Sequence, residues 1–133
     1  MTKFVRELVR RRAGDRCEYC RIPQYAIPDI ALHIEHIVAI QHRGTDEAEN
    51  LGLACDRCNR HKGPNLSAID PITNAVVRLF DPRRDRWHEH FGQTNYEIVG
   101  LTPTGRAAVH LLDMNAGARV QLRVGLRIDL TVE

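Results

Sequence analysis

The chain has 133 residues, of which 43% are hydrophobic and 27% are charged. This composition is typical of a globular protein and excludes a disordered tail or a fibre. No apolar run approaches the roughly 20 residues that a membrane-spanning helix needs, and the charged N-terminus does not resemble a secretory signal. We therefore expect a single cytoplasmic domain over residues 1–133, with no membrane contact.

The formal net charge is only +2, but the basic residues are concentrated at the N-terminus. Residues 1–21 contain seven Lys or Arg against three acidic residues, a local charge of +4. The run Arg10, Arg11 and Arg12 can contact phosphates. An equally good interpretation is that these residues form the solvated end of a helix, where the macrodipole favours basic side chains.

The first half of the chain predicts two helices and a strand. Apolar residues recur at helical spacing before Gly14, which predicts a helix over residues 2–13. The branched, apolar segment 31–40 predicts a strand. A short helix is predicted over residues 56–62, because Gly63-Pro64 provides a stop signal.

The second half predicts a small α+β extension. Residues 75–80 and 96–101 are typical of strands. Asp81-Pro82 predicts a helix over residues 82–91, and Thr102-Pro103 predicts another to about Met114.

The end of the chain carries a different pattern. Apolar residues alternate with a period of two over residues 120–132, which predicts a strand. This strand can pair at its edge with a second copy of the chain. We divide the chain into an N-terminal basic helix (1–16), a core (17–66) and the extension (67–133).

All four cysteines fall into two C-x2-C pairs, Cys17/Cys20 and Cys55/Cys58. Two such pairs that converge supply four thiolates in a tetrahedron, the ligand set of structural zinc. A pair of disulfides is the alternative, but it requires secretion. A thioredoxin-like redox site requires a βαβ pattern, which does not flank these cysteines. The spacing therefore predicts one structural Zn²⁺ ion.

Three further segments stand in a fixed order around the cysteines: Glu35-His36-Ile37, Asn50-Leu51 and the run from Asn59 to Gly63. With the second C-x2-C pair, they resemble the HNH endonuclease family. The segments HKGPNL-x-x-IDP and LTPTGR are similar to a bacterial subgroup of that family. The resemblance covers residues 17–114. It implies an α+β fold with a ββα-metal, or His-Me finger, core stapled by the four-cysteine zinc site.

The resemblance also implies roles for individual residues. His36 corresponds to the general base that activates water, a task that suits an imidazole. Glu35, where the family often has Asp, and Asn59 correspond to ligands of a catalytic Mg²⁺ or Mn²⁺ ion. Asn50 corresponds to the residue that braces the hairpin and orients His36. His61 is a weaker candidate ligand, and a solvated or phosphate-contacting histidine is the alternative.

The strand geometry raises an objection to this assignment. In a regular strand Glu35 and His36 point to opposite faces, so they can reach one site only if the strand bends or ends there. A buried core histidine beside Ile34 and Val38 is the alternative for His36. The family also often has proline at the position of Ala39.

We expect from these observations a metal-dependent endonuclease that hydrolyses phosphodiester bonds in DNA. No separate recognition module is evident, so sequence preference would be weak or supplied by a partner protein. A non-cleaving, zinc-scaffolded DNA-binding module and a purely structural or regulatory protein are the alternatives. Neither requires the histidine and asparagine constellation. The residues predicted to contact DNA are Arg10, Arg11, Arg12, Arg43, Arg60 and Lys62.

Overall fold

A computed structural model describes residues 1–130 of the chain. The chain forms two compact units. The N-terminal unit comprises Met1–Pro64 and Asp81–Arg84, and the C-terminal unit comprises Asn65–Phe80 and Asp85–Glu133. Both units combine helices with two-stranded antiparallel sheets, which confirms the predicted α+β class. None of the helices in the described part is long and apolar enough to cross a membrane.

The N-terminal unit contains two paired strands followed directly by a helix, as a ββα core requires. The strands are antiparallel, with His33 opposite Ala54 and His36 opposite Leu51. The elements of this unit are α1 Lys3–Arg12, β1 His33–His36, β2 Leu51–Ala54 and α2 Asp56–Lys62.

Both helices of this unit begin and end close to where their sequence signals predict. The hydroxyl of Thr2 caps α1 by accepting the amide N–H of Val5 at 3.2 Å. Gly63 follows α2 with a φ of 50°, a backbone conformation that glycine adopts without strain. The helices predicted over residues 2–13 and 56–62 are therefore confirmed.

β1 is shorter than the strand predicted over residues 31–40, because it ends at His36. Beyond this point the side chain of Asn50 replaces β2 as the partner of the Val38 backbone. The chain then turns through Gly44, where a Cβ atom would lie 1.7 Å from the carbonyl oxygen of Val38. The strand stops where its backbone partner ends, and the turn requires a residue without a side chain.

The described part of the C-terminal unit contains two hairpins and three helices. β3 pairs with β4, and β5 pairs with β6. Their bounds are β3 Ser67–Ile69, β4 Val76–Arg78, α3 Trp87–His90, β5 Phe91–Thr94, β6 Glu97–Gly100, α4 Pro103–Leu111 and α5 Gly117–Leu126. The strands predicted over 75–80 and 96–101 are confirmed as β4 and β6. The helix predicted from Thr102-Pro103 is confirmed as α4.

The helix predicted over residues 82–91 is wrong for most of its length. The side chain of Asp81 accepts the amide N–H of Arg83 at 2.8 Å, and its carbonyl accepts that of Arg84 at 3.1 Å. Asp81-Pro82 therefore forms a turn here and does not cap a helix. Both are common uses of an Asp-Pro pair. The helix of this region is α3, which has only four residues.

The strand predicted over residues 120–132 is wrong where the structure describes it, because residues 120–126 belong to α5 and residues 127–130 form no strand; residues 131–132 lie outside the described residues. α5 buries Arg119 and Arg123. The guanidinium of Arg123 donates to the carbonyl of Tyr96 at 3.0 Å and to that of Met114. Buried arginines thus determine the inward face of α5, so the predicted edge strand for a homodimer is not present in it.

In the C-terminal unit, Arg106 forms an ion pair with the buried carboxylate of Asp70. The guanidinium of Arg106 donates to both carboxylate oxygens of Asp70, at 3.0 and 2.7 Å. Asp70 is completely buried and also accepts the amide N–H of Ile72 at 3.0 Å and the hydroxyl of Thr73 at 2.9 Å. The hydrogen bonds from Arg106 hold the pKa of Asp70 well below its usual range. The IDP and LTPTGR segments therefore meet in a structural contact.

Replacing Asp70 by asparagine should destabilise the C-terminal unit near pH 7 but not in acid. Because folding lowers the pKa of Asp70, the pair stabilises the folded state above the unfolded pKa of about 3.9 and loses this effect as the pH falls toward the folded value. Amide hydrogen exchange at Ile72, whose N–H binds Asp70, measures the change. We expect the ratio of variant to wild-type exchange rates to exceed one at about pH 7 and to fall as the pH drops below about 4. A ratio that does not change with pH would contradict the prediction.

Candidate functional site

The structure brings the four cysteines together. Every Sγ atom lies within 4.8 Å of the other three, and all four side chains are buried, in a cluster formed by Cys17, Cys20, Cys55 and Cys58. The Sγ atoms of Cys20 and Cys55 are 3.7 Å apart, far longer than a disulfide bond of about 2.05 Å. Four sulfur atoms around a metal ion at about 2.3 Å lie roughly this far apart. The cluster therefore fits a metal ion.

Local backbone contacts build the two halves of this cluster. In the first, the amide of Cys17 donates to the carbonyl of Ile22 at 3.0 Å. In the second, the amide of Cys58 donates to the Sγ atom of Cys55 at 3.4 Å. Glu18 joins the halves, because its backbone and its carboxylate both bond the backbone of Leu53 in β2, at 2.8 and 2.9 Å. Arg83 forms an ion pair with the same carboxylate.

Burial and mutual hydrogen bonding shift the pKa values of the thiols in opposite directions. Burial raises the pKa of Cys17 well above its ordinary value. Hydrogen bonds from the other three thiols lower the pKa of Cys55. A buried set of thiols that share protons in this way becomes a set of thiolates when a metal ion replaces those protons.

His36 lies at the end of β1, and its side chain is 28% exposed, so it is not a buried core histidine. Its Nε2 atom is 2.7 Å from Oδ1 of Asp46, in the loop between β1 and β2. This hydrogen bond lowers the pKa of the Asp46 carboxyl, which is therefore ionised and can only accept. Nε2 must carry the hydrogen of this bond, so Nδ1 is the ring atom that keeps a lone pair whenever the imidazole is neutral.

Asn50 braces the loop that contains Asp46. Its side-chain NH2 donates to the carbonyls of Val38 at 2.9 Å and Thr45 at 2.8 Å, and its oxygen accepts the amide N–H of Val38 at 2.9 Å. Asn50 thus ties the loop to the backbone that follows β1. Its effect on the orientation of His36 stays a prediction.

Glu35 lies in a different environment from that predicted for a ligand of a catalytic metal. It is buried on the opposite face of β1 from His36. One carboxylate oxygen accepts the hydroxyl of Tyr19, and the other lies 3.2 Å from Nζ of Lys62. Burial raises the pKa of Glu35, and Lys62 opposes that shift. Because the Lys62 ammonium already lies beside this buried carboxylate, the arrangement observed does not fit a second cation there.

The other two predicted ligands both lie on α2. Asn59 follows Cys58 directly, and its side chain is half-buried. His61 is also half-buried, two residues further along the helix. The position of Asn59 is determined by the same helical turn that positions Cys58 of the cysteine cluster. Its side-chain amide oxygen is a suitable ligand for a hard cation such as Mg²⁺.

Two of the six residues predicted to contact DNA have other partners. Lys62 is buried. Arg12 donates to the carbonyls of Ala48 and Leu51 at 3.0 and 2.7 Å, and so supports the loop on either side of Asn50. The remaining four lie at the surface of the N-terminal unit with exposed or half-exposed side chains: Arg10, Arg11, Arg43 and Arg60.

Sequence patterns miss three residues of this region: Tyr19, Asp46 and Arg83. Their contacts join positions that are 16, 10 and 65 residues apart along the chain. Asp46 carries a weak signal, because it follows the predicted turn after His36. Tyr19 and Arg83 carry none, since no periodicity or spacing relates them to their partners.

Comparison with known proteins identifies the segment that contains this site. Residues 17–65 match the model of the family described as HNH endonuclease. The matched segment includes all four cysteines, both strands of the N-terminal unit and α2. Searches of curated proteins and of solved structures find no match.

Proposed function

We propose that this chain, whose residues 17–65 match the HNH endonuclease family, hydrolyses phosphodiester bonds in DNA. The observation that carries the proposal is the state of His36. It stands half-exposed at the end of β1, with Nε2 bonded to Asp46 and Nδ1 available as a base. Metal binding by the cysteines requires no such residue.

In the proposed reaction, Nδ1 of His36 removes a proton from a water molecule as its oxygen attacks the phosphorus atom. The bond between that oxygen and phosphorus forms, and the bond from phosphorus to the 3′ oxygen of the sugar breaks. The departing oxygen takes up a proton, which leaves a 3′-hydroxyl and a 5′-phosphate. Asp46 holds the ring in the tautomer that makes Nδ1 the base, and it stabilises the imidazolium that forms.

The ion held by Cys17, Cys20, Cys55 and Cys58 is proposed to be Zn²⁺ with a structural role. Four thiolates are the ligand set of closed structural zinc sites, which leave no position open for water or substrate. The ion would join the turn after α1 to the start of α2, and it takes no part in the reaction.

A divalent cation, Mg²⁺ or Mn²⁺, is the second proposed cofactor. Such an ion stabilises negative charge on a phosphate during cleavage. Asn59 fits this ion, because a half-buried amide oxygen is a suitable ligand. The Glu35 carboxylate does not fit it, since that carboxylate is already paired in the interior with the Lys62 ammonium, which would repel the cation. The steps assigned above to His36 and Asp46 do not depend on where the cation binds.

DNA is the proposed partner, held through its phosphates by Arg10, Arg11, Arg43 and Arg60. Each of these charges would release counterions on binding, so the affinity should fall steeply as salt rises. Contacts of this kind carry no sequence information, and a partner protein or a second copy of the chain would have to supply specificity.

Plasmid nicking tests the proposed activity. Zinc-replete protein is freed of loosely bound cations, mixed with supercoiled plasmid and assayed with and without added Mg²⁺ or Mn²⁺. We expect nicking only with added cation, and none from a His36→Ala variant that retains equimolar zinc. Equal nicking by the variant would mean a contaminating nuclease or a wrong base. Salt-sensitive DNA binding without cleavage by the wild type would instead support the non-cleaving module.

Replacing Asp46 by alanine should lower kcat about two- to fivefold without changing the DNA concentration at half-maximal rate. The effect is modest because the Asp46 carboxylate is solvent-exposed, and exposed pairs are weak. Asp46→Asn should recover part of the rate, since its amide oxygen can still accept from Nε2. Glu47→Ala, at the exposed neighbouring position, is the control and should cleave like the wild type. Unchanged kcat in Asp46→Ala would exclude an orienting role.

A further inference from the structure

We infer that Lys62 and Glu35 form a buried pair that positions His36, and that Glu35 does not bind the catalytic cation. This inference rests on the proposed function for the reaction that His36 performs. It assigns Lys62 and Glu35 as positioning residues, which act on the backbone at His36 and do not touch DNA.

The contacts of Lys62 converge on the end of β1. Its side chain is only 3% exposed. The Nζ atom lies 2.9 Å from the carbonyl oxygen of Ile37, 3.3 Å from that of His36 and 3.2 Å from Oε2 of Glu35. An ammonium group has three hydrogens to donate, and these three oxygens surround it. Lys62 therefore holds two consecutive carbonyls, those of His36 and Ile37, at the point where β1 ends.

Glu35 has the properties of the counter-ion in this pair. Its side chain is 6% exposed, and its second oxygen accepts the hydroxyl of Tyr19. A Cβ atom at Gly52, the residue opposite it on β2, would lie 3.5 Å from the same carboxylate. A buried ammonium needs a buried partner of opposite charge, which Glu35 supplies.

Two observations argue against a cation at Glu35. Alternation along β1 turns the buried Glu35 away from the half-exposed His36, so the two side chains do not face one site. A divalent cation bound to this carboxylate would also lie beside the Lys62 ammonium. The cation and the ammonium would both be within a few ångströms of the carboxylate, and like charges that close repel strongly where water is excluded.

The pair also links His36 to the cysteine cluster. Cys58 and Lys62 are four residues apart on α2, so they lie on the same side of the helix. Cys58 holds one end of α2 in the cluster, and Lys62 at the other end holds the carbonyls of His36 and Ile37. The position of the base is thus determined by the position of α2.

A double-mutant cycle with a metal titration tests the inference. Lys62→Met, Glu35→Gln and the double variant are compared in kcat, in DNA concentration at half-maximal rate and in Mn²⁺ concentration at half-maximal rate. The matched controls are Lys3→Met and Glu7→Gln, which remove an exposed pair 3.9 Å apart on α1. We expect each buried-pair variant to lower kcat roughly 10- to 100-fold, the range in which misplacing a catalytic group acts. Both half-maximal concentrations should stay within about twofold of wild type. The double variant should be no worse than either single variant, and the controls should match wild type.

Clear outcomes would overturn the inference. A Glu35→Gln protein that needs at least about tenfold more Mn²⁺, beside a Lys62→Met protein with unchanged kcat, would make Glu35 a metal ligand. Wild-type kcat in both single variants would exclude positioning. If the single variants lose zinc, two other variants replace them in the test. The double variant leaves no unpaired buried charge, and Tyr19→Phe removes only a hydroxyl. Each should lower kcat and leave the Mn²⁺ concentration at half-maximal rate unchanged.

A spectroscopic measurement separates this inference from the proposed function. The amide resonances of Ile37 and Val38 report the backbone that Lys62 holds, whether or not the protein cleaves DNA. They should shift in Lys62→Met and not in Lys3→Met. If the wild type cleaves no DNA but the resonances still shift in Lys62→Met, the proposed nuclease activity is refuted and the positioning contact is supported. Unshifted resonances in Lys62→Met would refute the positioning contact itself.

Discussion

Replacing Cys58 by serine is expected to unfold the N-terminal unit. Cys58 contributes one of four buried sulfur atoms, and the cysteine cluster joins the turn after α1 to α2. Structural zinc binding contributes about 10–16 kcal/mol in small zinc-folded modules. That is as large as the whole free energy of unfolding of a typical domain, about 5–15 kcal/mol. A unit with short strands and short helices should therefore not remain folded without the ion.

Zinc content and amide hydrogen exchange together measure this effect. The Cys58→Ser protein should lack equimolar zinc, and the amide of Leu53, bonded to Glu18 in the folded unit, should exchange rapidly. Removing zinc from the wild type with a chelator should have the same result, and adding zinc back should reverse it. Serine at the exposed Tyr25 is a suitable control and should retain zinc. Protected exchange at Leu53 in zinc-free protein would show that the cluster is not what holds the unit together.

Replacing His36 by alanine is expected to lower kcat by about 10² to 10⁴, the usual contribution of a general base. DNA affinity should change little, because the proposed phosphate contacts come from arginine side chains elsewhere on the unit. His36 is half-exposed and its ring bonds the exposed side chain of Asp46, so we expect the fold to tolerate its loss. Single-turnover cleavage of plasmid at saturating protein measures the chemical step directly.

His33→Ala provides the matched control for this variant. His33 is exposed, lies on the same strand and is removed by the same substitution. It should cleave at the wild-type rate and contain equimolar zinc. If His36→Ala cleaves as fast as His33→Ala, His36 is not the base, and the assignment of the site fails. If His36→Ala also loses salt-sensitive DNA binding, His36 contributes to binding as well.

The cysteine site and the two helices of the N-terminal unit could be predicted because their signals are local. Cys17 and Cys20, like Cys55 and Cys58, are separated by two residues, a spacing that few structures other than a metal site explain. Thr2 and Gly63 mark helix ends through contacts within one turn of the chain. Such contacts depend on neighbouring residues and not on the rest of the fold.

Two segments in the second half of the chain show where local signals fail. Asp81-Pro82 begins a turn in this chain, although the same pair often begins a helix. The apolar alternation after Val120 matches a strand, but Arg123 bonds to the carbonyls of Tyr96 and Met114 and holds the segment as α5. Because buried arginine is rare, a prediction from apolar periodicity places Arg123 on the solvent-facing side, whereas the structure buries it.

By itself, the sequence determined the α+β class, the two cysteine pairs of a candidate metal site and the order of the histidine and asparagine residues, because each depends on residue type and short-range spacing. Only the tertiary structure decided what the polar side chains do. Lys62 and Glu35 are 27 residues apart, yet they pair in the interior, where a charge must find a partner of opposite sign. Which carboxylate meets a buried ammonium depends on how β1 packs against α2, and no pattern along the chain records that packing.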